Sequence, residues 1–178
     1  MDFNDSAEEA TFRIEAAAWL NANAPSEADL AGLTDMQKAK LGQKRKSDAG
    51  WACVRWPQEY GGRGANAIEQ VILNQEESKI AAPNVGVFSI GQGMAAPTLQ
   101  TWATEEQKKR YLPKLASGEE IWCQLFSEPA GGSDLAALRT KAEKDGDDCL
   151  INGQKIWTSG APYSHFGLIV VRTDPNLP

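Results

Sequence analysis

"LFSEPAGGSD", residues 125–134, follows directly on the apolar run "IWCQ". A proline and two adjacent glycines end that run, so it reads as a buried strand, 121–126, emptying into a specialised bend. Gly131 and Gly132 allow positive φ and close backbone approach, while Ser127 and Ser133 offer hydroxyl groups. Successive N–H groups in such a bend can cradle an anion. The spacing is equally compatible with Ser133 and Asp134 capping a turn at "SDLAAL". Nothing local brings Glu128 and Asp134 together as a carboxylate pair, so no acid/base chemistry is assigned to them.

Upstream of the bend the chain is patterned for helices. "SAEE" (6–9) has the form of a capping box, and Phe12, Ala16, Trp19 and Leu20 follow at helical spacing until Pro25. A second helix is expected from "TDMQ" (34–37) to Gly50, then a loop over 51–64, a helix over about 66–80, and an apolar helix over about 86–102. "TEEQ" (104–107) opens a short helix expected to stop near Pro113. Downstream, residues 138–160 alternate and carry the turn signals "DGD" and "ING", and 166–174 reads as a further strand. The expected fold class is therefore α+β. An all-helical domain, 1–119, precedes the first strands of an antiparallel, barrel-like β domain, 120–178. About four strands leave a bare sheet edge, so the chain is expected to be the front part of something longer.

Composition narrows the function classes. The 178 residues are 42% hydrophobic with a formal net charge of −6, a pI near 4.9 and a mean hydropathy of −0.43. That balance argues against a nucleic-acid surface, and the basic run "QKAKLGQKRK" (37–46) reads as a solvated helix face. No apolar run approaches the ~20 residues of a membrane-spanning helix. The acidic beginning is unlike a secretory leader, so a cytoplasmic protein is expected. Cys53, Cys123 and Cys149 match no metal spacing and are expected as small buried hydrophobes. His165, the single histidine, is assigned no role.

A second constellation is "NGQKIWTSGA" (152–161). Trp157 sets a large π face beside the hydroxyls of Thr158 and Ser159, which suits a flat heteroaromatic ring but also a core tryptophan followed by a turn. The two stretches together, in this order and spacing, strongly resemble the acyl-CoA dehydrogenase flavoproteins. "GWACVRWPQEYGGRG" (50–64) and "GMAAPTLQTWATEEQKKRYLPKLASGEE" (93–120) are similar to that family as well. The resemblance runs from about residue 48 to 175.

What the resemblance implies is specific. The family has a helical domain, a middle β domain and a C-terminal helical bundle, which has no counterpart in these 178 residues. Its members bind FAD and remove the α and β hydrogens of an acyl-CoA thioester, giving a trans-2-enoyl-CoA. Electrons usually pass to an electron-transferring flavoprotein, and homodimers, homotetramers and hetero-oligomers occur. By position, Phe126 and Ser127 would meet the pyrimidine side of the flavin, and Gly132 and Ser133 the pyrophosphate. Trp157, Thr158 and Ser159 would flank the ring. Ser133, Phe88 and Met94 would face the acyl-CoA, with a core role for Phe88 and Met94 equally open. Ser127 and Ser159 stand where many relatives have threonine, and Ala130 replaces a common glycine. The catalytic base is expected downstream of residue 178, so the chain alone is expected not to turn over acyl-CoA. An oxidase or monooxygenase on the same scaffold, and a non-catalytic subunit, are the competing expectations.

Overall fold

Five of the helices are opened by the same local device, a polar N-cap whose side chain and third helical residue exchange hydrogen bonds with each other's backbone. In the computed structural model, which describes residues 4–174, Ser6 and Glu9 open α1 (Ala7–Asn23), and Thr34 and Gln37 open α3 (Asp35–Asp48). Asn66 and Glu69 open α4 (Ala67–Glu77), and Thr104 and Gln107 open α6 (Glu105–Ser117). Ser26 and Asp29 open one-turn α2 (Glu27–Leu30), and short α5 (Ala96–Trp102), which has no side-chain cap, completes the helices. The chain forms two compact units, Met1–Glu119 and Glu120–Pro178.

In the helical unit α1 packs on α4 and α3 on α6. Phe12, Ala16 and Leu20 of α1 meet Ile72 and Leu73 of α4 around Trp51 and Val54. The Trp51 ring lies 5.6 Å from that of Phe12, and the Arg63 guanidinium sits 4.1 Å over its face. Two expectations fail here. α6 runs through Pro113 to Ser117, because Leu112, Leu115 and Ala116 are buried and their packing outweighs the ~3 kcal/mol cost of an interior proline. The helix expected over 86–102 is broken into a 3₁₀ turn at Gly86–Phe88, a π turn at Gly91–Ala95 and α5. Three glycines weaken helical continuity there. Pro97 has no N–H for the Gly93 carbonyl and crowds it, which favours a widened turn.

In the second unit, β2 (Lys141–Asp145) and β3 (Asp148–Asn152) form an antiparallel hairpin around Gly146, whose φ is +61°. β1 (Trp122–Leu125) and β4 (Phe166–Ile169) instead pair in parallel, Trp122 opposite Phe166 and Leu125 opposite Ile169. Alternation marks strands without fixing direction, and residues 126–165 are long enough to return β4 alongside β1 in the same sense. "ING" makes no hairpin turn: Ile151 and Asn152 stay in β3, and Gly153 passes so close to Thr140 that a Cβ would stand 2.7 Å from the Thr140 Cα. His165 ties the start of the parallel pair, its Nδ1 accepting the Ile121 N–H at 3.1 Å while its own N–H donates to the Ile121 carbonyl at 2.8 Å. Cys53 and Cys123 are buried as expected, whereas Cys149 is exposed on β3. Burial pushes the Cys53 thiol up to about 12, which makes it chemically inert.

Gly118 tests how tightly the helical unit is built. It closes α6 at φ +73°, and a Cβ there would stand 2.7 Å from the Phe88 ring and 3.0 Å from Gln43 Cγ. Gly118→Ala is expected to destabilise the protein by about 2–4 kcal/mol, from combined backbone strain and overpacking. Chemical denaturation followed by circular dichroism measures it; a loss below about 0.5 kcal/mol would contradict this packing.

Candidate functional site

The bend begins where β1 ends. Glu128 and Gly131 exchange backbone hydrogen bonds, 2.9 Å from Glu128 N–H to Gly131 O and 3.0 Å in return, closing a turn over Pro129 and Ala130. Among the described residues only Trp157 is a non-glycine at positive φ. The turn therefore places no left-handed demand on Ala130, and alanine is accommodated there. Gly131 and Gly132 do not take positive φ either. Their use is close approach: a Cβ on Gly132 would lie 3.3 Å from the Ser127 hydroxyl oxygen. Asp134, at the N-cap of the 3₁₀ turn Leu135–Ala137, makes no side-chain capping bond, so the helix-cap explanation of "GGSD" finds no support there.

The second motif is irregular backbone between β3 and β4, not a strand end. It is joined to the first by three bonds. The Ile156 N–H donates to the Ser127 carbonyl at 2.9 Å, and the Lys155 ammonium donates to the Phe126 carbonyl at 3.1 Å and to Glu128 Oε1 at 2.8 Å. Phe126 and Ser127 are thereby held next to the residues leading into Trp157, Thr158 and Ser159. Gly132 stays with this group through its approach to Ser127, and Ser133 lies exposed just beyond it. Phe88 and Met94 belong to the helical unit, where Phe88 is 2% exposed and Met94 half-buried.

Glu128 is the electrostatic centre. Its carboxylate accepts from the Arg139 N–H at 2.6 Å and the Thr140 N–H at 2.9 Å as well as from Lys155. Burial by itself would raise its pKa, but the Lys155 ammonium and the backbone N–H groups outweigh that and hold it down at about 2. Neither Glu128 as an anchor nor Lys155 as its partner was visible in the sequence, because nothing in local spacing ties positions 27 residues apart.

Trp157 presents the opposite character. Its φ is +56° and its side chain is 85% exposed. A bulky residue in the left-handed region costs roughly 1–2 kcal/mol, and here no burial compensates. Such strain marks a functional position more readily than a structural one. The backbone N–H groups of Phe126, Ser127, Trp157 and Thr158 have no hydrogen-bond acceptor among the described residues. An exposed indole face, free N–H donors and the hydroxyls of Ser127, Ser133 and Ser159 form a set suited to a flat ring rich in acceptors, carrying an anionic tail. Among the described residues no group of three or more His, Cys, Asp or Glu could hold a metal, and no helix is long and apolar enough to cross a membrane.

Two family models match this chain: the acyl-CoA dehydrogenase N-terminal domain over residues 6–119 and the acyl-CoA dehydrogenase middle domain over residues 123–177. The acyl-CoA dehydrogenase IpdE1 of Mycobacterium tuberculosis is 38% identical over 171 residues, covering 92% of this chain and 44% of that protein. A solved structure titled Tcur3481-Tcur3483 steroid ACAD superposes with a TM-score of 0.74 at 34% identity, covering 100% of this chain and 46% of that one. The ChsE4-ChsE5 complex from Mycobacterium tuberculosis gives a TM-score of 0.75 at 33% identity, covering 98% of this chain and 44% of that one. The chain thus spans less than half the length of these relatives.

The depressed carboxyl of Glu128 has a pH signature. Its folded value lies below the ordinary 4.5, so its contribution is fully present above about pH 4.5 and is withdrawn as pH falls toward 2. Glu128→Gln is expected to flatten the stability-versus-pH curve in that window. At neutral pH Lys155→Met, which strands a buried carboxylate, is expected to cost about 3–5 kcal/mol. Denaturation series between pH 2.5 and 7 check both; an unchanged acid limb in the Gln variant would contradict the assignment.

Proposed function

Because the chain belongs to the acyl-CoA dehydrogenase family, we propose that it supplies the flavin-holding face of an FAD-dependent enzyme that converts an acyl-CoA thioester to the trans-2-enoyl-CoA. The observation that carries this reading is the joining of the two motifs. Residues 126–127 and 157–159 are brought side by side, with free N–H donors and a strained, exposed indole facing outward. Bound there, FAD would supply hydride acceptance, which no side chain can.

The roles follow from chemistry. The main-chain N–H groups of Phe126 and Ser127, with the Ser127 hydroxyl, would donate to the pyrimidine side of the ring. Trp157 would cover the ring, while Thr158 and Ser159 offer hydroxyls at its edge. Gly132 lets the backbone approach the pyrophosphate, and Ser133 can donate to that group or to the CoA chain. In the helical unit Met94 has surface to offer an acyl chain, and Phe88 would support that wall from the core. We place the proton-abstracting carboxylate outside these 178 residues, since Glu128 is committed to Lys155 and the backbone. One of the similar structures is by title a complex, ChsE4-ChsE5, and another carries the paired name Tcur3481-Tcur3483, so we propose that activity requires a second chain, of the same or a different kind. An electron-transferring flavoprotein is the proposed acceptor and the cytoplasm the proposed compartment.

Trp157 separates this function from a structural role. Trp157→Gly is expected to leave stability within about 1 kcal/mol, because relief of the positive φ offsets the entropy cost of glycine, while weakening FAD binding at least tenfold. Flavin-fluorescence titration and thermal denaturation of the same samples decide it. A large stability loss with unchanged FAD affinity would overturn the role. With an artificial electron acceptor and acyl-CoA, the chain alone is expected to show no turnover; robust turnover would overturn the placement of the base.

A further inference from the structure

The hydrogen bonds around residues 126–128 divide donors from acceptors in a way that the fold alone does not require. The Phe126 carbonyl is taken by the Lys155 ammonium at 3.1 Å and the Ser127 carbonyl by the Ile156 N–H at 2.9 Å. The N–H groups of the same two residues have no acceptor among the described residues. A backbone stretch that ordinarily offers donors and acceptors alike is left offering donors.

The Lys155 ammonium achieves this while nearly inaccessible: its side chain is 6% exposed and that of Glu128 7%. A buried ammonium needs a partner anion, and Glu128 provides it at 2.8 Å. Glu128 cannot follow the lysine elsewhere, because the Arg139 and Thr140 N–H groups hold its other contacts at 2.6 and 2.9 Å. The ammonium is therefore fixed where it reaches the Phe126 carbonyl. Methylene packing alone would not require a charge at that place.

We propose that Lys155 and Glu128 are positioning residues which convert the 126–127 backbone into a donor-only edge selecting the carbonyl-bearing side of the flavin ring. The inference rests on the flavin reading above and deepens it. Lys155 acts through the Phe126 carbonyl and Glu128 through Lys155; neither needs to touch the ring. Without the ammonium, the Phe126 carbonyl returns as a free acceptor and the edge becomes mixed.

The test compares affinities for FAD, 2-thio-FAD and 4-thio-FAD, whose sulfur is a weaker acceptor than carbonyl oxygen, by flavin-fluorescence titration of the 178-residue chain. The parent is expected to prefer FAD to at least one thio analogue by about fivefold or more. Lys155→Met is expected to bind all three within about twofold of one another, and Lys155→Arg, which keeps the cation and its donors, to restore the preference. Glu128→Gln combined with Lys155→Met avoids a stranded carboxylate, and it should fold and likewise lack the preference. A structural role alone would lower all three affinities together and leave their ratio unchanged, which overturns the proposal. Failure of the double variant to fold assigns the pair to the fold alone and also overturns it. Binding of FAD by the parent without discrimination overturns the inference but leaves the flavin reading standing. Absence of FAD binding by the parent overturns the flavin reading, and the inference with it.

Discussion

One buried carboxylate organises the loops of the second unit. Glu128 gathers the bend that follows β1, Arg139 and Thr140 just before β2, and Lys155 of the segment before Trp157. Three stretches share one anion: the bend supplies the carboxylate, and the other two supply the donors, the Arg139 and Thr140 N–H groups and the Lys155 ammonium. An ionised carboxylate out of water is unfavourable unless fully paired. The requirement to satisfy it is what makes these loops take one arrangement. Its depressed pKa is the electrostatic record of that arrangement.

Rigidity at Glu128 has a counterpart in exposure nearby. Trp157 follows Lys155 by two positions, yet it sits at positive φ with its indole in solvent. Strain of that kind persists only where surrounding bonds fix the backbone, here the Ile156 N–H to the Ser127 carbonyl and the Ser159 N–H to the Trp157 carbonyl. The fold stabilises the loops through buried polar contacts and leaves the ring face and the N–H donors uncommitted. A binding surface for a large planar cofactor has this character, because the ligand supplies the missing contacts.

Much of the architecture was legible in local sequence. The capping boxes at Ser6, Thr34 and Thr104 and the helical spacing of Phe12, Ala16 and Leu20 act within one or two turns, so they survive folding unchanged. What was missed depends on distant partners. Pro113 stays helical because of what Leu112 and Leu115 bury against, and β4 turns out parallel to β1 because of a connection 126–165 whose path no periodicity encodes. At the site, the motifs single out residues 126–133 and 157–159 by residue type alone. They did not reveal why those residues are neighbours in space. Local spacing gives Glu128 no partner and marks Lys155 as nothing more than one polar residue inside "NGQKIWTSGA", because their pairing spans 27 residues.

The central claim is that residues 126–127 and 157–159 form one flavin-binding face. Amide and indole chemical-shift mapping of the isotopically labelled chain, titrated with FAD, tests it most directly. The largest shifts are expected on the Phe126 and Ser127 amides, the Trp157 indole and Ser159, with the Trp51 core of the helical unit unmoved. Shifts centred on that helical core, or none at all at saturating FAD, would contradict it.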